Sequence, residues 1–268
     1  MKKPAKRNGS EAIVEAIRKS KAGKVKVAVS DIDGILRGKY LHRDKFFSAV
    51  ESGFGFCDVV FGWDMHDHCY DNTQLTGWHH GYPDAMVRLD LATHRNVPWD
   101  GDVDFFLGNF VTADGKPHPL CPRQTLKRVL ARAEKMGFSA MVGSEFEFFN
   151  FRETPHTWAE KKGQPPTPLT PGMFGYSLLR ANLNGDYFNA LMDEMAAFRV
   201  PIEGFHTETG PGVYEAALRY DEALRMADKA ALFKTALKQL CARRGLSCTF
   251  MAKWSADLPG SSGHLHQS

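Results

Sequence analysis

Glu203-Gly204-Phe205-His206-Thr207-Glu208-Thr209-Gly210-Pro211-Gly212-Val213-Tyr214-Glu215 is the stretch around which the rest of the chain is organised. Gly210-Pro211-Gly212 separates two short runs that read as strands, so the segment predicts a hairpin. Side chains of a strand return to one face at every second position. His206 and Glu208 therefore share one face, and Thr207 and Thr209 the other. A four-residue loop from Gly210 to Val213 would set Glu208 directly opposite Glu215, with Cβ atoms about 5 Å apart. Two bare carboxylates at that spacing repel, or one takes up a proton. A divalent cation between them removes the conflict, and oxygen ligands select a hard ion such as Mg²⁺ or Mn²⁺. A solvated hairpin carrying two unrelated acids is the alternative.

Upstream, residues 140–149 read as a strand. In Gly143-Ser144-Glu145-Phe146-Glu147-Phe148 it places Glu145 and Glu147 on one face and Phe146 and Phe148 on the other. Two acids inside an aromatic strand are costly to bury unpaired. Either a cation-filled cavity or a solvent-facing edge would tolerate them. Residues 152–171, with five prolines, predict an exposed loop. Helices are predicted over 186–198, with Pro201 beyond the end, and over 221–244, stopped by Gly245. Thr249 to Lys253 reads as a strand. The chain closes on Gly260-Ser261-Ser262-Gly263-His264-Leu265-His266-Gln267-Ser268, in which His264 and His266 share a face if extended.

The front of the chain reads as a short helix over 10–20 followed mostly by strands and turns. Strands are predicted at 24–30, 35–41, 87–90 and 105–111, with turns at 31–34, 81–84 and 114–117. Asp64, His66, Asp67, His68 and Cys69 crowd one segment, but their spacing matches no zinc pattern, and a polar loop is the plainer reading. Pro122 and Gly137 bracket a helix of apolar spacing. The change of character puts a domain boundary near 114–121.

At 268 residues the chain suits one large domain or two ordinary ones. A net charge of +3 gives no argument for a nucleic-acid partner. The basic run Lys2-Lys3-Pro4-Ala5-Lys6-Arg7 reads as a solvated, disordered end. No apolar run has the length of a membrane span, and Met1 is followed by charge where a signal peptide needs an apolar core. Five cysteines at irregular spacing fit reduced thiols in a cytoplasmic protein.

The acid strand, the acid hairpin and the closing His-x-His, in that order, resemble the glutamine synthetase family. So do Asp33-Gly34-Ile35-Leu36-Arg37-Gly38-Lys39, Pro83-Asp84, Pro98-Trp99, Pro122-Arg123 and Phe250-Met251-Ala252-Lys253. The resemblance runs from about residue 24 to the end. It implies an α+β protein: a tail and short helix (1–23), an N-terminal β-grasp domain (24–115), and a truncated catalytic domain of antiparallel strands and helices in a partial barrel (116–268). It also implies an ATP-dependent ligase that joins the γ-carboxylate of glutamate to ammonia or an amine through a γ-glutamyl phosphate, with Mg²⁺ or Mn²⁺.

Carried over residue by residue, the resemblance assigns one metal to Glu147, Glu208 and Glu215, and a second to Glu145 and His264. It places Glu203, Tyr220, His266 and Ser268 at the nucleotide and Gly260 at the glutamate. It further implies a homo-oligomeric ring whose neighbouring subunits share active sites. Three departures stand out. The ammonium turn, Phe-Asp-Gly-Ser-Ser in the family, is Phe61-Gly62-Trp63-Asp64-Met65 here, leaving Asp64 as the amine-site candidate and the choice of amine open. Pro259 stands where the family has Asn. The family's arginine-rich segments and third acid of the second metal lie beyond Ser268, so residues 1–268 alone are expected to be an incomplete catalyst. An organic amine or polyamine as acceptor is one alternative; a non-catalytic oligomeric structural protein is another. A two-carboxylate glycoside hydrolase ranks last, because Glu145 and Glu147 on one strand face cannot flank a sugar from both sides.

Overall fold

The computed structural model describes residues 9–268, and the basic Lys2–Arg7 run lies outside the described residues. The chain divides into two compact units, Met1–Arg132 and Ala133–Ser268. No helix among the described residues is long and apolar enough to cross a membrane.

The first unit holds α1 (Gly9–Lys19), β1 (Lys24–Ser30), β2 (Leu36–His42), α2 (Arg43–Ser52), β3 (Phe54–Cys57), β4 (Asp84–Val97) and β5 (Val103–Val111). Its sheet runs β2-β1-β5-β4-β3, with β1 and β5 parallel and the other neighbours antiparallel. β5 is buried at every position, as the middle strand of a covered sheet must be. Val25, Val27 and Val29 of β1 alternate into a core with Phe46 and Ala49 of α2 and Phe106 and Phe110 of β5. The pattern reading passed over α2. Its adjacent Phe46-Phe47 pair blurs the helical spacing, while Gly53 ends it at φ +81° and ψ −173°, a conformation open mainly to glycine. β4 is longer than the predicted strand because a bulge between Asp90 and Arg95 lets pairing continue.

The helix predicted after Pro122 is α3 (Pro122–Lys135), and the division between the units falls within it. The second unit continues with β6 (Met141–Phe151), α4 (Pro155–Glu160), α5 (Leu178–Asn182), α6 (Gly185–Ala197), β7 (Ile202–Thr207), β8 (Val213–Glu222), α7 (Ala223–Ala242), β9 (Ser247–Thr249) and β10 (Gly263–Gln267). Its sheet runs β10-β6-β8-β7, every pair antiparallel. β6 is the hub: β8 lies along one edge, and β10 and β9 share the other. The strand predicted over 249–253 is shifted, since only Ser247–Thr249 pairs with β6. The proline-rich 152–171 segment contains α4, capped by Thr154, with Pro155 at its first turn.

The two faces of this sheet differ. One carries Phe146, Phe148, Phe205 and Tyr214. Phe148 stacks on Phe205 at 6.2 Å and meets Phe233 of α7 edge-on at 6.1 Å, while Phe188 of α6 closes on Phe205 at 4.2 Å. The other carries Glu145, Glu147, Glu215, His206, His264 and His266. The apolar face anchors the sheet and leaves the charged face free for chemistry.

The hairpin register differs from the expected one. His206 pairs with Glu215, Thr207 pairs with Tyr214, and the Glu208 N–H bonds to Val213 O at 2.8 Å. The four-residue loop is therefore 209–212, and Glu208 lies diagonal to Glu215. Gly212 sets this. Its N–H bonds to Thr170 O and its C=O accepts the Asn150 N–H, both at 2.8 Å. At φ +72°, a Cβ on Gly212 would lie 2.4 Å from Asn150 O. Buried Asn150 also donates its side-chain amide to Gly212 O and accepts the Tyr187 hydroxyl at 2.6 Å.

Phe148 is fully buried, so Phe148→Ala is expected to cost about 3–5 kcal/mol of unfolding free energy. Glu203→Gln, on an exposed position, should change it by under about 0.5 kcal/mol. Urea denaturation of both variants checks the division of labour between the faces; comparable losses would contradict it.

Candidate active site

Neighbouring strands deliver the charged groups through register. His264 of β10 pairs with Glu145 of β6, Glu147 of β6 pairs with Glu215 of β8, and Glu215 pairs with His206 of β7. His264 Nδ1 lies 3.0 Å and His266 Nε2 3.1 Å from Glu145 Oε2. His264 Nδ1 is also 3.8 Å from Glu215 Oε1. His206 Nε2 lies 3.3 Å from Glu208 Oε2 and 3.8 Å from Glu215 Oε2.

Two groups of donor atoms thus gather around Glu215. Glu145, Glu215 and His264 form one, and His206, Glu208 and Glu215 the other, with ligand atoms within 4.8 Å of one another in each. Glu147 faces Glu215 across the ladder, but both its oxygens are engaged by Ser262, from the hydroxyl at 2.6 Å and the N–H at 3.0 Å. His206 was not singled out as a site residue from sequence. The signal was its two-residue spacing to Glu208.

The electrostatics follow from this crowding. Burial pushes the Glu215 carboxyl up; His206 opposes this, while Glu145 and Glu147 push the same way. Glu145 is held low, first by His266 and then, against burial, by His264. At Glu208 burial opposes ionisation, yet the Thr209 N–H and hydroxyl and the His206 ring together hold the carboxyl low. One buried nitrogen, His206 Nε2, has no hydrogen-bond partner although it faces two carboxylates. A donor set of three carboxylates and two imidazoles, with one orphaned nitrogen and one acid made unwilling to ionise, fits a divalent cation.

Beside these groups lies a pocket of about 300 Å³, lined by Glu145, Glu203, Tyr220, His266, Ser268 and Gly143 among others. Two bulges shape it. β8 sets Arg219 and Tyr220 opposite the single Gly143. Unbulged, Tyr220 would share the aromatic face of Leu218. Here a Cβ on Gly143 would lie 3.8 Å from Tyr220 Cβ and 3.9 Å from His266 Cβ. β7 carries Glu203 as an extra residue between Ile202 and Gly204. Ser268 holds the pocket's end by exchanging backbone hydrogen bonds with Met141.

Gly260 stands apart from the clusters. A Cβ there would meet Ala252 O at 2.6 Å, so the loop before β10 packs backbone to backbone. Asp64 belongs to the first unit. Its Oδ1 accepts the His66 N–H at 2.8 Å and the His68 N–H at 3.0 Å, which close its own turn and lower its pKa. No metal-type cluster forms from Asp64, His66, Asp67, His68 and Cys69 among the described residues.

Residues 119–268 match the family described as "Glutamine synthetase, catalytic domain". The chain belongs to the glutamine synthetase family. Type-1 glutamine synthetase 2 of Dictyostelium discoideum is 49% identical over 261 residues, 97% of this chain and 50% of that protein. A glutamate–isopropylamine ligase from a Pseudomonas species is 33% identical over 253 residues, 94% and 55% of the two chains. The fold is shared with ligand-free GmaS, at a TM-score of 0.78 and 24% identity, over 95% of this chain and 56% of that one. The chain spans about half the length of the curated relatives it matches.

An acid with a raised folded-state pKa binds protons more readily folded than unfolded. Stability therefore rises as pH falls through that pKa, and the penalty is fully present above it. Glu215→Gln is expected to raise the metal-free Tm at pH 8 and to lose that advantage at pH 4. Saturating Mn²⁺ should then raise the wild-type Tm by several degrees and that of Glu215→Gln by much less. Scanning calorimetry with and without Mn²⁺ checks both signs; equal metal shifts in the two proteins would contradict the cluster.

Proposed function

We propose that the whole protein is an ATP-dependent ligase that joins the γ-carboxylate of glutamate to ammonia or an amine. One observation carries this reading: Glu145 belongs both to a candidate metal cluster and to the wall of the adjoining pocket. A pocket for a polyphosphate needs cations at its mouth, and one carboxylate shared between the two couples them.

In this proposal Glu203, Tyr220, His266 and Ser268 hold ATP. Glu147, Glu208 and Glu215 form one ion site, and Glu145 and His264 the other, with His206 beside them. Gly260 contacts the glutamate. Bound Mg²⁺ or Mn²⁺ would neutralise phosphate charge. The γ-carboxylate of glutamate attacks the terminal phosphorus of ATP, giving γ-glutamyl phosphate and ADP. The amine nitrogen then attacks the acyl carbon, phosphate leaves, and a base takes the amine's proton. The charged face orients these partners, and Ser262 holds Glu147 in place.

Asp64 favours an organic amine as a second reading, since its Oδ1 is committed to its own turn. A relative 33% identical to this chain is named glutamate–isopropylamine ligase. The proposal extends to a cytoplasmic setting and to a β-grasp arrangement of residues 24–115 preceding a catalytic domain from 116. It also includes a homo-oligomeric ring in which the 61–68 turn of one subunit approaches the acid face of the next. Catalysis is proposed for the complete protein. A purely structural role is disfavoured by the acid set, which a scaffold has no reason to crowd together.

Phosphate release by the complete protein tests the reading, with ATP, Mg²⁺ and glutamate, against ammonium, isopropylamine, ethanolamine and putrescine. Release that requires both glutamate and an amine is expected, reduced at least about 100-fold by Glu208→Ala. No glutamate-dependent release with any acceptor would overturn it.

A further inference from the structure

His206 presents a problem of orientation. Its Nε2 is buried 3.3 Å from Glu208 Oε2 and 3.8 Å from Glu215 Oε2 without forming a well-directed hydrogen bond to either. In the tautomer a metal ligand needs, with the lone pair at Nε2, a ring free to rotate about its χ2 bond would turn that nitrogen away from the carboxylates toward water or a hydrogen-bond donor. Tyr176 stands in the way. Its ring stacks on the His206 ring with centroids 4.2 Å apart and planes 8° from parallel.

Tyr176 is itself constrained. Its φ is +54°, a conformation a bulky residue keeps only when its surroundings impose it. Hydrophobic burial does not impose it, because the residue is 74% exposed. Thr207, the buried neighbour of His206, does. Its carbonyl accepts the Tyr176 N–H at 2.7 Å. Its hydroxyl accepts the Ser177 N–H at 2.9 Å and donates to Phe174 O at 2.9 Å. Gly175 completes the strap, since a Cβ there would lie 3.1 Å from Thr209 Oγ1 and 3.5 Å from Glu208 Oε1. Residues 174–177 are thus tied across β7 beside the histidine they cover.

We propose that Tyr176 is a positioning residue: strapped to β7 through Thr207, it holds the His206 imidazole with Nε2 directed at Glu208 and Glu215. The inference rests on the metal reading of this face, because an imidazole ligates only along its ring plane. Stacking fixes that plane without occupying either nitrogen. It performs through a ring face what a hydrogen bond to the second nitrogen performs at most histidine ligands.

The test uses Tyr176→Ala, Tyr176→Phe and Thr207→Val in the complete protein, each first checked for wild-type unfolding behaviour. Mn²⁺ affinity is read by electron paramagnetic resonance. Independently, the rate of diethylpyrocarbonate modification at His206 is read by peptide mass, with exposed His42 as reference. Tyr176→Ala is expected to weaken Mn²⁺ binding about 10-fold and to speed His206 modification several-fold, leaving His42 unchanged. Tyr176→Phe, which keeps the stack, should match wild type in both. Thr207→Val should shift both in the direction of Tyr176→Ala. Unchanged affinity and unchanged His206 reactivity in Tyr176→Ala would overturn the proposal. So would a Tyr176→Phe as impaired as Tyr176→Ala, which would assign the effect to the hydroxyl. Wild-type protein that binds no Mn²⁺ overturns the metal reading instead, and the His206 rates still decide the stack.

Discussion

Repulsion among Glu145, Glu147 and Glu215 is the constraint the second unit is built to meet. Adjacent strands place facing side chains about 5 Å apart, where two full charges repel by roughly 3 kcal/mol at an effective dielectric of 20. Each acid has its own answer. Ser262 takes both oxygens of Glu147. His264 and His266 converge on Glu145. Glu215 has the weakest answer, so its ionisation is the one suppressed. A face with that residual strain persists only because the opposite face is strongly apolar. Phe148, Tyr214 and Phe233 are fully buried there and fix the strands that carry the charges.

The same division explains why irregularities cluster at the pocket. A regular ladder would send Tyr220 to the aromatic side. The bulge in β8 turns it toward Gly143 and His266, and the bulge in β7 adds Glu203. Both lie on strands whose remaining positions are committed to alternation, so one extra residue re-aims one side chain without disturbing the rest. The left-handed Gly212 plays the corresponding part at the hairpin loop. Its contacts with Asn150 and Thr170 decide which residues face each other across β7 and β8.

These particulars mark what could be read from the sequence. Alternation in 143–148 correctly separated the acids from the aromatics, because a period of two survives wherever one face is buried, and the pairing of β10 with β6 sets His264 and His266 on the acid side. The helices at 122–135, 185–197 and 223–242 were legible from their stoppers and spacing. Long-range contacts were not. The loop at 209–212 follows from Asn150 and Thr170, far away in sequence, so local turn rules placed it one residue late. The 152–171 segment read as open loop because its prolines are visible. Burial of Glu153, which accepts Thr157 Oγ1 and the Thr167 N–H, is not. His206 was placed on the face of Glu208 but given no role, because Glu208 alone satisfied the expected pattern, and the Tyr176 stack depends on a backbone conformation no pattern announces.

The central claim is that the charged face is a divalent-cation site bordering a nucleotide pocket. Anomalous diffraction from crystals grown with Mn²⁺, recorded at the manganese edge, tests it most directly. Manganese peaks are predicted on this face at bonding distance, about 2.0–2.4 Å, from Glu215 and from at least one of Glu145, Glu208, His206 and His264. Manganese bound elsewhere at full occupancy, with no peak beside Glu215, would contradict it.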